Sequence, residues 1–357
     1  MASTWPAEVE LLRELVAIPS VSGEEAAVAA FCEATARGWG LDVVNDDTGV
    51  KVVVAGRAPG PTLAFVSHID VVPPGHGWTR DPWTPAIEGE QLFGRGSGDA
   101  KASVAAMLSA AHDLARRGGP AKGRLVVILG LGEETKHTSM PRALASVGEV
   151  HAAIVGEPTN LQPSVAQRGL MMVDLVARGD QRHAGYAADG DFTNAAVRLA
   201  RDLVRLGGLC QERVHPILGR VTITPTILEA GISRNVTPPV ARAVLDIRST
   251  PSYTHEEIGR TLVESLESEV VVTSTRLVPC ETPIPSRVLQ LIRDARPSAA
   301  PYGSPTCSDW VFVNDRDAVK IGPGTSRRSH TADECVDLPE VVEARALYGR
   351  VAREYLS

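Results

Sequence analysis

Hydrophobic residues in the first half of the chain fall into short runs that alternate with helical patterns. Four runs are typical of buried strands: VKVVVAG, TLAFVSHID, RLVVILGLGEE and HAAIVGEPT. A helical segment, SVAAMLSAAHDLARRG, separates the second run from the third, and residues 6–18 have the pattern of an N-terminal helix. Another helix follows, with Ser22 as its predicted N-cap. This alternation predicts an α/β fold with a mixed, mostly parallel sheet flanked by helices.

The pattern changes after Gly169. Four segments have the periodicity of strands: LMMVDLVARG, RVTITPTILEAG, ARAVLDIRS and VVVTSTRLV. Helical patterns follow the first and the third of them, in FTNAAVRLARDLVRLG and THEEIGRTLVESLE. The resulting β-α-β-β-α-β order is that of a ferredoxin-like unit. Because α/β alternation resumes afterwards, we expect a larger domain at residues 1–168 plus 280–357 and an inserted domain at residues 169–279.

Charge and composition exclude several classes of partner. The chain has 357 residues and a formal net charge of -7, which offers no basic face for nucleic acid or for an anionic membrane. No apolar stretch approaches the roughly 20 residues of a membrane span, and the N-terminus lacks the pattern of a signal peptide. The five cysteines contain no CxxC pair, so we interpret them as reduced thiols. These features favour a cytoplasmic protein with a small-molecule or protein substrate.

Acidic residues and histidines lie where the predicted parallel strands end. His68 and Asp70 interrupt the apolar run FVSHIDVV, and their spacing of two places both side chains on one face of an extended strand. The remaining candidates follow strands or glycine-rich turns: Asp99 in GRGSGDA, Glu133 and Glu134 in LGLGEET, Glu157 in IVGEPT and His330 in RRSHTADE. Functional side chains collect at the carboxyl ends of the strands in an open α/β sheet.

Each candidate alone also has a structural interpretation. A histidine at a strand end is commonly a hydrogen-bonded structural residue, and an aspartate in a glycine-rich loop is usually a turn former. Their recurrence favours a metal site, because so many ionisable groups are costly to bury together unless divalent ions neutralise them. Imidazole and carboxylate ligands without thiolate suit Zn²⁺, with Co²⁺ or Mn²⁺ as substitutes.

Ordered motifs over nearly the whole chain resemble those of the di-zinc amidohydrolase and aminoacylase family of metallopeptidases. The segments that carry the resemblance are HIDVVPPGHGWTRDPW, LFGRGSGDAKASVAAM, GEETK, AIVGEPT, RNVTPPVARAVLDIRS and GPGTSRRSHTADECV. The family includes acetylornithine deacetylase, succinyl-diaminopimelate desuccinylase, aminoacylase and glutamate carboxypeptidase. The resemblance implies a zinc aminopeptidase-like catalytic domain with an inserted dimerisation domain, in a zinc-dependent enzyme that hydrolyses linear amides.

The resemblance also implies the ligands of two zinc ions per subunit. His68 and Glu157 would hold one ion, Glu134 and His330 would hold the other, and Asp99 would bridge the pair. All five residues are of types that bind Zn²⁺.

Three further residues resemble catalytic residues of the family. Asp70 would orient His68 by accepting its second ring N–H, and Glu133 would be the general base. His183, in GDQRHAG, matches a histidine that reaches across a homodimer to help form the oxyanion site. Arg182 precedes it where the family usually has a small residue, so a solvated loop histidine is the alternative.

Substrates of the family are N-acylated amino acids with a free carboxylate, which arginine recognises well. Five positions are similar to substrate-site residues of the family: Arg168, Asn235, Arg248, Gly324 and Thr325. For Arg248 an ion pair with Asp246 is an equal alternative.

Two segments depart from the family pattern. Ala102 follows Asp99-Ala100-Lys101 where glycine is common, which is a mild change. The Glu133-Glu134 pair runs into TKHTSMPRAL where the family usually has a glycine-containing loop, and this changes the expected loop shape.

The motifs favour N-acetylornithine as the substrate, with deacetylation to ornithine in arginine biosynthesis. The alternatives are desuccinylation, acetylcitrulline deacetylation, release of lysine or ornithine from a carrier protein, and metallo-dipeptidase or carboxypeptidase activity. A non-catalytic binding homologue is an alternative of another class. It predicts the loss of Glu133 or of a ligand, whereas all of these residues are present.

Overall fold

The computed structural model describes residues 5–186 and 192–357 of the chain. The chain divides into two compact units. The first unit comprises Met1–Val165, Thr282–Tyr302 and Ser308–Ser357, and the second comprises Ala166–Glu281 and Gly303–Cys307. Among the described residues no helix is both long enough and apolar enough to span a bilayer. None of the five cysteines, which all lie in the described part of the chain, forms a disulfide.

The helices, numbered in chain order, are α1 Ala7–Val16, α2 Ala26–Gly38, α3 Lys101–Arg116, α4 Ser139–Val147, α5 Ala195–Leu206, α6 His255–Ser265, α7 Arg287–Ala295 and α8 Leu338–Tyr355. The strands are β1 Asp42–Asp46, β2 Gly49–Ala55, β3 Thr62–His68, β4 Ala86–Glu88, β5 Gln91–Phe93, β6 Arg124–Gly130, β7 Ala152–Val155, β8 Ser164–Gln167, β9 Gly169–Arg178, β10 Thr222–Ala230, β11 Val240–Ser249, β12 Glu269–Leu277, β13 Cys280–Glu281, β14 Tyr302–Ser304, β15 Asp317–Lys320 and β16 Cys335–Asp337.

The main sheet of the first unit confirms the predicted mixed α/β fold. Its strands lie in the order β1-β2-β6-β3-β7-β15-β8, and the central four, β6, β3, β7 and β15, are parallel. Every residue of β3 is buried, as a central strand covered by helices on both faces requires. The sheet is antiparallel at its edges. Only two residues join β1 to β2, and so short a connection can link antiparallel strands only.

The N-terminus of α2 differs from the prediction. The helix begins at Ala26, and no side chain caps it. The hydroxyl of Ser22 instead donates a hydrogen bond to Oδ2 of Asp70, 2.7 Å away. Ser22 therefore does not cap the helix, because a buried carboxylate on a distant segment takes its hydrogen bond.

The second unit is built on a four-stranded antiparallel sheet in the order β10-β11-β9-β12, with α5 and α6 packed on it. This is the ferredoxin-like order that the β-α-β-β-α-β pattern predicts. Local signals define both helices. The side chain of Asn194 caps α5, and Thr254 with Glu257 forms a capping box at the start of α6.

Candidate metal centre

Three neighbouring parallel strands of the first unit, β6, β3 and β7, end at the same edge of the sheet. The side chains predicted to carry chemistry follow these ends or lie in adjacent loops: His68 at the end of β3, Glu133 and Glu134 after β6, Glu157 after β7, Asp99 before α3 and His330 between β15 and β16. Residues from distant parts of the chain therefore meet at one place in the first unit.

Asp99 lies between two histidines. Its Oδ1 is 3.4 Å from Nε2 of His68, and its Oδ2 is 3.6 Å from Nε2 of His330. Glu157 Oε1 lies 3.8 Å from the same nitrogen of His68, and Glu134 Oε1 lies 3.0 Å from Nε2 of His330. Two sets of donor atoms thus share a single carboxylate.

The donor atoms fit a pair of zinc ions. Zn²⁺ binds nitrogen and oxygen at about 2.0–2.2 Å with tetrahedral geometry, which places neighbouring ligand atoms about 3.3–3.6 Å apart. The separations between donor atoms within these two sets lie between 3.0 and 3.8 Å. His68, Asp99 and Glu134 also present ligand atoms that all lie within 4.8 Å of one another.

The orientation of His68 is fixed through its other ring nitrogen. Nδ1 lies 3.0 Å from the backbone oxygen of Asp70 and 3.4 Å from its Oδ1, which directs Nε2 toward Asp99. Burial lowers the pKa of His68, but hydrogen bonds to Asp70 and Asp99 outweigh burial and hold the pKa well above its ordinary value. The surroundings of this imidazole therefore favour a positive charge, which a metal ion also supplies.

Asp70 positions other residues of the centre in addition to His68. Its Oδ1 accepts the backbone N–H of Glu133 at 3.0 Å, and its Oδ2 accepts the backbone N–H of Glu134 at 3.1 Å. Burial raises the pKa of Asp70, but hydrogen bonding and charge interaction with His68 reverse this and bring it to about 2. The buried carboxylate therefore stays ionised and holds the backbone of the loop that carries both glutamates.

Glu133 lies in a strongly anionic environment. Only 9% of its side chain is exposed, and burial together with the negative charges of Glu157 and Asp309 raises its pKa well above the ordinary value. Burial and the charge of Asp99 likewise raise the pKa of Glu157 to about 8. Both carboxyls thus have a higher proton affinity than a carboxyl in water.

Comparison with known proteins agrees with this geometry. The sequence profile of Peptidase family M20/M25/M40 matches residues 64–354. The chain belongs to this family. The predicted family resemblance is thereby confirmed, and the protein is a metal-dependent amidohydrolase of the M20/M25/M40 type.

Relatives of similar length include two named enzymes. The chain is 30% identical to a succinyl-diaminopimelate desuccinylase of Cereibacter sphaeroides, covering 98% of this chain and 99% of the relative. It is 27% identical to an acetylornithine deacetylase of Myxococcus xanthus, covering 99% of each chain. The solved structure of the aminopeptidase PepT from Bacillus cereus has the same fold, with a TM-score of 0.83, 19% identity and 98% of each chain covered.

The sequence did not predict one buried ion pair of this M20/M25/M40 chain, between Arg95 and Glu334. Glu334 accepts backbone N–H groups from Gly96, Gly98 and Asp99 at 3.0–3.1 Å, and its Oε2 is 2.6 Å from Nη1 of Arg95. Both charged side chains are only 1% exposed. Glu334 lies four residues after His330, so it ties the Asp99 loop to the His330 segment. The sequence held one indication of this burial, because Glu334 directly precedes the buried residues Cys335 and Val336 of β16.

The loop Gly322–Ser326 packs against the segment that follows Glu157. A Cβ on Gly322 would lie 2.6 Å from the carbonyl oxygen of Glu157, so no larger residue fits there without displacing the ligand segment. Gly324 has φ +83° and accepts the N–H of Asn160, and Thr325 forms a bridge with Thr159. The two predicted substrate residues in this loop thus lie in the first unit, beside the Glu157 segment.

The other predicted substrate residues lie in the second unit. Arg168 donates hydrogen bonds to the carbonyl oxygens of Leu218, Arg220 and Arg248. Arg248 forms an ion pair with Asp246, which was the alternative interpretation of its sequence. Its Nε and Nη2 donate to the two carboxylate oxygens at 2.8 and 3.0 Å. Both guanidinium groups therefore have partners within their own unit.

The predicted oxyanion histidine also lies in the second unit. His183 is exposed, and its Nδ1 accepts the backbone N–H of Gly185 at 3.0 Å. Asn235 lies close to it, because its backbone oxygen accepts the N–H of Ala184. These two predicted residues are neighbours within the second unit.

Proposed function

We propose that the protein hydrolyses the amide bond of an N-acyl amino acid at a two-zinc centre. The observation that carries the proposal is Asp99, whose two carboxylate oxygens face two different histidines. Such a carboxylate is suited to bridge two ions. We assign His68 and Glu157 to one zinc ion and Glu134 and His330 to the other, and Co²⁺ or Mn²⁺ are substitutes of suitable chemistry.

When bound, the two ions would polarise the amide carbonyl and lower the pKa of the attacking water. Glu133 would take the proton of that water and deliver it to the departing amine. The raised pKa of Glu133 supports this role, because a carboxylate of higher proton affinity is a better acceptor for the proton of water. Asp70 would hold the backbone of Glu133 in place throughout.

We also propose that residues 169–279 form a dimerisation domain inserted into a catalytic domain of residues 1–168 and 280–357. His183 would then complete the oxyanion site of the partner subunit, and its exposure is compatible with this role. Asn235, beside it, would contact the substrate. Arg168 and Arg248 would bind a substrate carboxylate only by exchanging their present partners.

For the substrate we propose N-acetylornithine, which would place the reaction in arginine biosynthesis. The 27% identity to an acetylornithine deacetylase over nearly the whole of both chains supports this assignment. The second candidate is an N-succinyl amino acid, favoured by the 30% identity to a desuccinylase. Acetyl and succinyl groups differ by one carboxylate, so the choice depends on a cation near the acyl group.

A substrate panel tests the proposal. Acetyl and succinyl derivatives of ornithine, citrulline, lysine and diaminopimelate, with a set of dipeptides, are assayed by amine release with added zinc or cobalt. We expect the highest kcat/KM on acetylornithine. A preference for dipeptides over every acyl amino acid would contradict the proposed substrate class, and a metal-loaded protein without turnover would contradict the proposed reaction.

A further inference from the structure

A second cluster of ligand-type side chains adjoins the metal centre. Nδ1 of His137 lies 3.0 Å from Oδ1 of Asp309 and 3.7 Å from Oε1 of Glu133. The ligand atoms of these three residues all lie within 4.8 Å of one another. The assignments above give His137 and Asp309 no role, and they involve Glu133 only as the base.

The spacing within this cluster matches that of the proposed zinc ligands. A tetrahedral zinc ion separates its nitrogen and oxygen ligands by about 3.3–3.6 Å. The distances from Nδ1 of His137 to Asp309 and to Glu133, 3.0 and 3.7 Å, lie on either side of this range. Donor atoms within the two proposed zinc sites have a similar spread of separations, from 3.0 to 3.8 Å. One imidazole and two carboxylates supply nitrogen and oxygen donors of the types that zinc binds, and they leave a fourth position open.

Burial and charge favour a cation at the cluster. The exposed fractions of the His137, Glu133 and Asp309 side chains are 12%, 9% and 3%. When both carboxyls are ionised they supply two negative charges, which one divalent ion balances. The carboxylate of Asp309 also contributes to the raised pKa of Glu133, so the two anions interact across the space between them.

The fold builds the cluster from the loop that departs from the family pattern. His137 has a left-handed backbone, with φ 50°, and its N–H donates to the carbonyl oxygen of Gly132. This turn places the ring beside the Glu133 carboxylate. Asp309 begins a short 3₁₀ helix that the Ser308 side chain caps. The backbone of His137 is thus fixed by its own hydrogen bond, and Asp309 lies in a turn that Ser308 caps through the N–H of Trp310.

We infer that Glu133, His137 and Asp309 form a third divalent-cation site, weaker than the two around Asp99, whose occupancy withdraws the Glu133 carboxylate from proton transfer. The inhibitory effect rests on the proposed role of Glu133, whereas the site itself does not. The ligand is a borderline metal ion such as Zn²⁺, and free zinc in excess of the catalytic pair would inhibit the enzyme.

Metal stoichiometry tests the site without reference to activity. The full-length protein is stripped with a chelator and titrated with Zn²⁺ under equilibrium dialysis. We expect a third, weaker equivalent in the wild type. His137→Asn should weaken that equivalent by about 10–100-fold and leave the first two in place. Asparagine suits this position, because it tolerates a left-handed backbone and its amide is a poor zinc ligand.

Two further variants complete the test. Asp309→Asn removes the second ligand and should have the same effect on the third equivalent. His151→Ala is the matched control, because this partly exposed histidine lies at the opposite end of β7 and its loss should leave three equivalents. A wild type that binds only two ions, or a third equivalent that persists unchanged in both cluster variants, overturns the inference.

Activity in excess zinc tests the inhibitory effect. The ratio of the rate at two equivalents to the rate in zinc excess is measured for each protein. We expect about a tenfold ratio or more in the wild type and a ratio near one in His137→Asn. Equal ratios in both would overturn the inhibitory role. If the third equivalent responds to the variants but no substrate is hydrolysed, the proposed function fails and the site stands.

Discussion

At the scale of single residues, the position of the proposed base depends on Asp70. This carboxylate contacts Nδ1 of His68 on one side and accepts the N–H groups of Glu133 and Glu134 on the other. Ser22 donates a further hydrogen bond to it. Because hydrogen bonds to a charged group are stronger than neutral ones, a single ionised side chain fixes His68 and Glu133 relative to each other.

The role of Glu133 can be tested by an isosteric change. Glu133→Gln removes the proton acceptor and preserves the shape of the side chain. We expect kcat to fall by about 10²–10⁴-fold, with KM and the first two equivalents of bound metal nearly unchanged. The measurements are steady-state kinetics on the best substrate of the panel and elemental analysis of the purified variant.

Glu149→Gln is the matched control for this change. Glu149 is 81% exposed and precedes β7, at the end of the strand opposite the metal centre, so its kinetics should equal those of the wild type. A Glu133→Gln enzyme with more than half of the wild-type kcat would remove Glu133 from the proton-transfer step.

At the scale of elements, buried carboxylates join segments that the sequence separates widely. Glu334 links the Asp99 loop to the His330 segment in the first unit. Asp202 has the same function in the second unit, where it lies on α5 and is fully buried. It accepts the backbone N–H groups of Glu267 and Ser268 and the hydroxyl of Ser268, directly before β12.

The stability provided by Asp202 should depend on pH. Burial raises its pKa, but the hydrogen bonds from Ser268 and Glu267 outweigh burial and lower it below the ordinary value. A lowered folded-state pKa stabilises the protein above the unfolded pKa of about 3.9, and the stabilisation is lost as the pH falls through the folded pKa. We therefore expect Asp202→Asn to lower the free energy of unfolding by about 1–3 kcal/mol at pH 7.

Urea unfolding followed by circular dichroism at pH 7, 5 and 3.5 measures this difference. Arg205→Ala is the control, because it removes only the partly exposed ion pairs with Asp202 and Glu267, each worth less than about 1 kcal/mol. A gap between Asp202→Asn and the wild type that stays constant down to pH 3.5 would contradict the assignment.

At the scale of the whole molecule, the second unit exposes large apolar side chains to solvent, and such exposure does not stabilise a monomer in water. Ile227 and Leu228 on the edge strand β10 are 52% and 60% exposed, and Val263 on α6 is 62% exposed. An exposed edge strand with apolar side chains favours association with another chain. This supports the proposed homodimer through the inserted domain.

Charge introduced on β10 tests the dimer. We expect the wild type to sediment as a dimer at micromolar concentration and Ile227→Glu/Leu228→Glu to weaken association by about 2 kcal/mol or more, because a carboxylate would be buried without a partner. Analytical ultracentrifugation over a range of concentrations measures the change.

Val44→Glu is the matched control for the dimer. Val44 is 56% exposed on β1, the edge strand of the first unit, so the same change there should leave the dimer intact. A monomeric wild type, or a double variant that remains dimeric, would contradict association through β10.

The sequence by itself determined the chemical character of the protein. Apolar periodicity identified the main strands and helices, because burial imposes a period of two on strands and 3.6 on helices. The position of His68 and the glutamate pair at strand ends pointed to a metal centre, since these residue types are costly to bury without one. The ordered motifs identified the family, which its sequence profile confirms.

Only the tertiary structure decided how these residues contact one another. Local periodicity carries no information on partners that lie far apart in sequence, such as Glu334 with the Gly98 backbone, 236 residues away. Ser22 illustrates the same limit: its sequence context predicts a helix cap, and the folded chain gives its hydroxyl to Asp70, 48 residues away. The position of Asp99 between His68 and His330, and the contact of His137 with Asp309, also depend on how distant loops pack together.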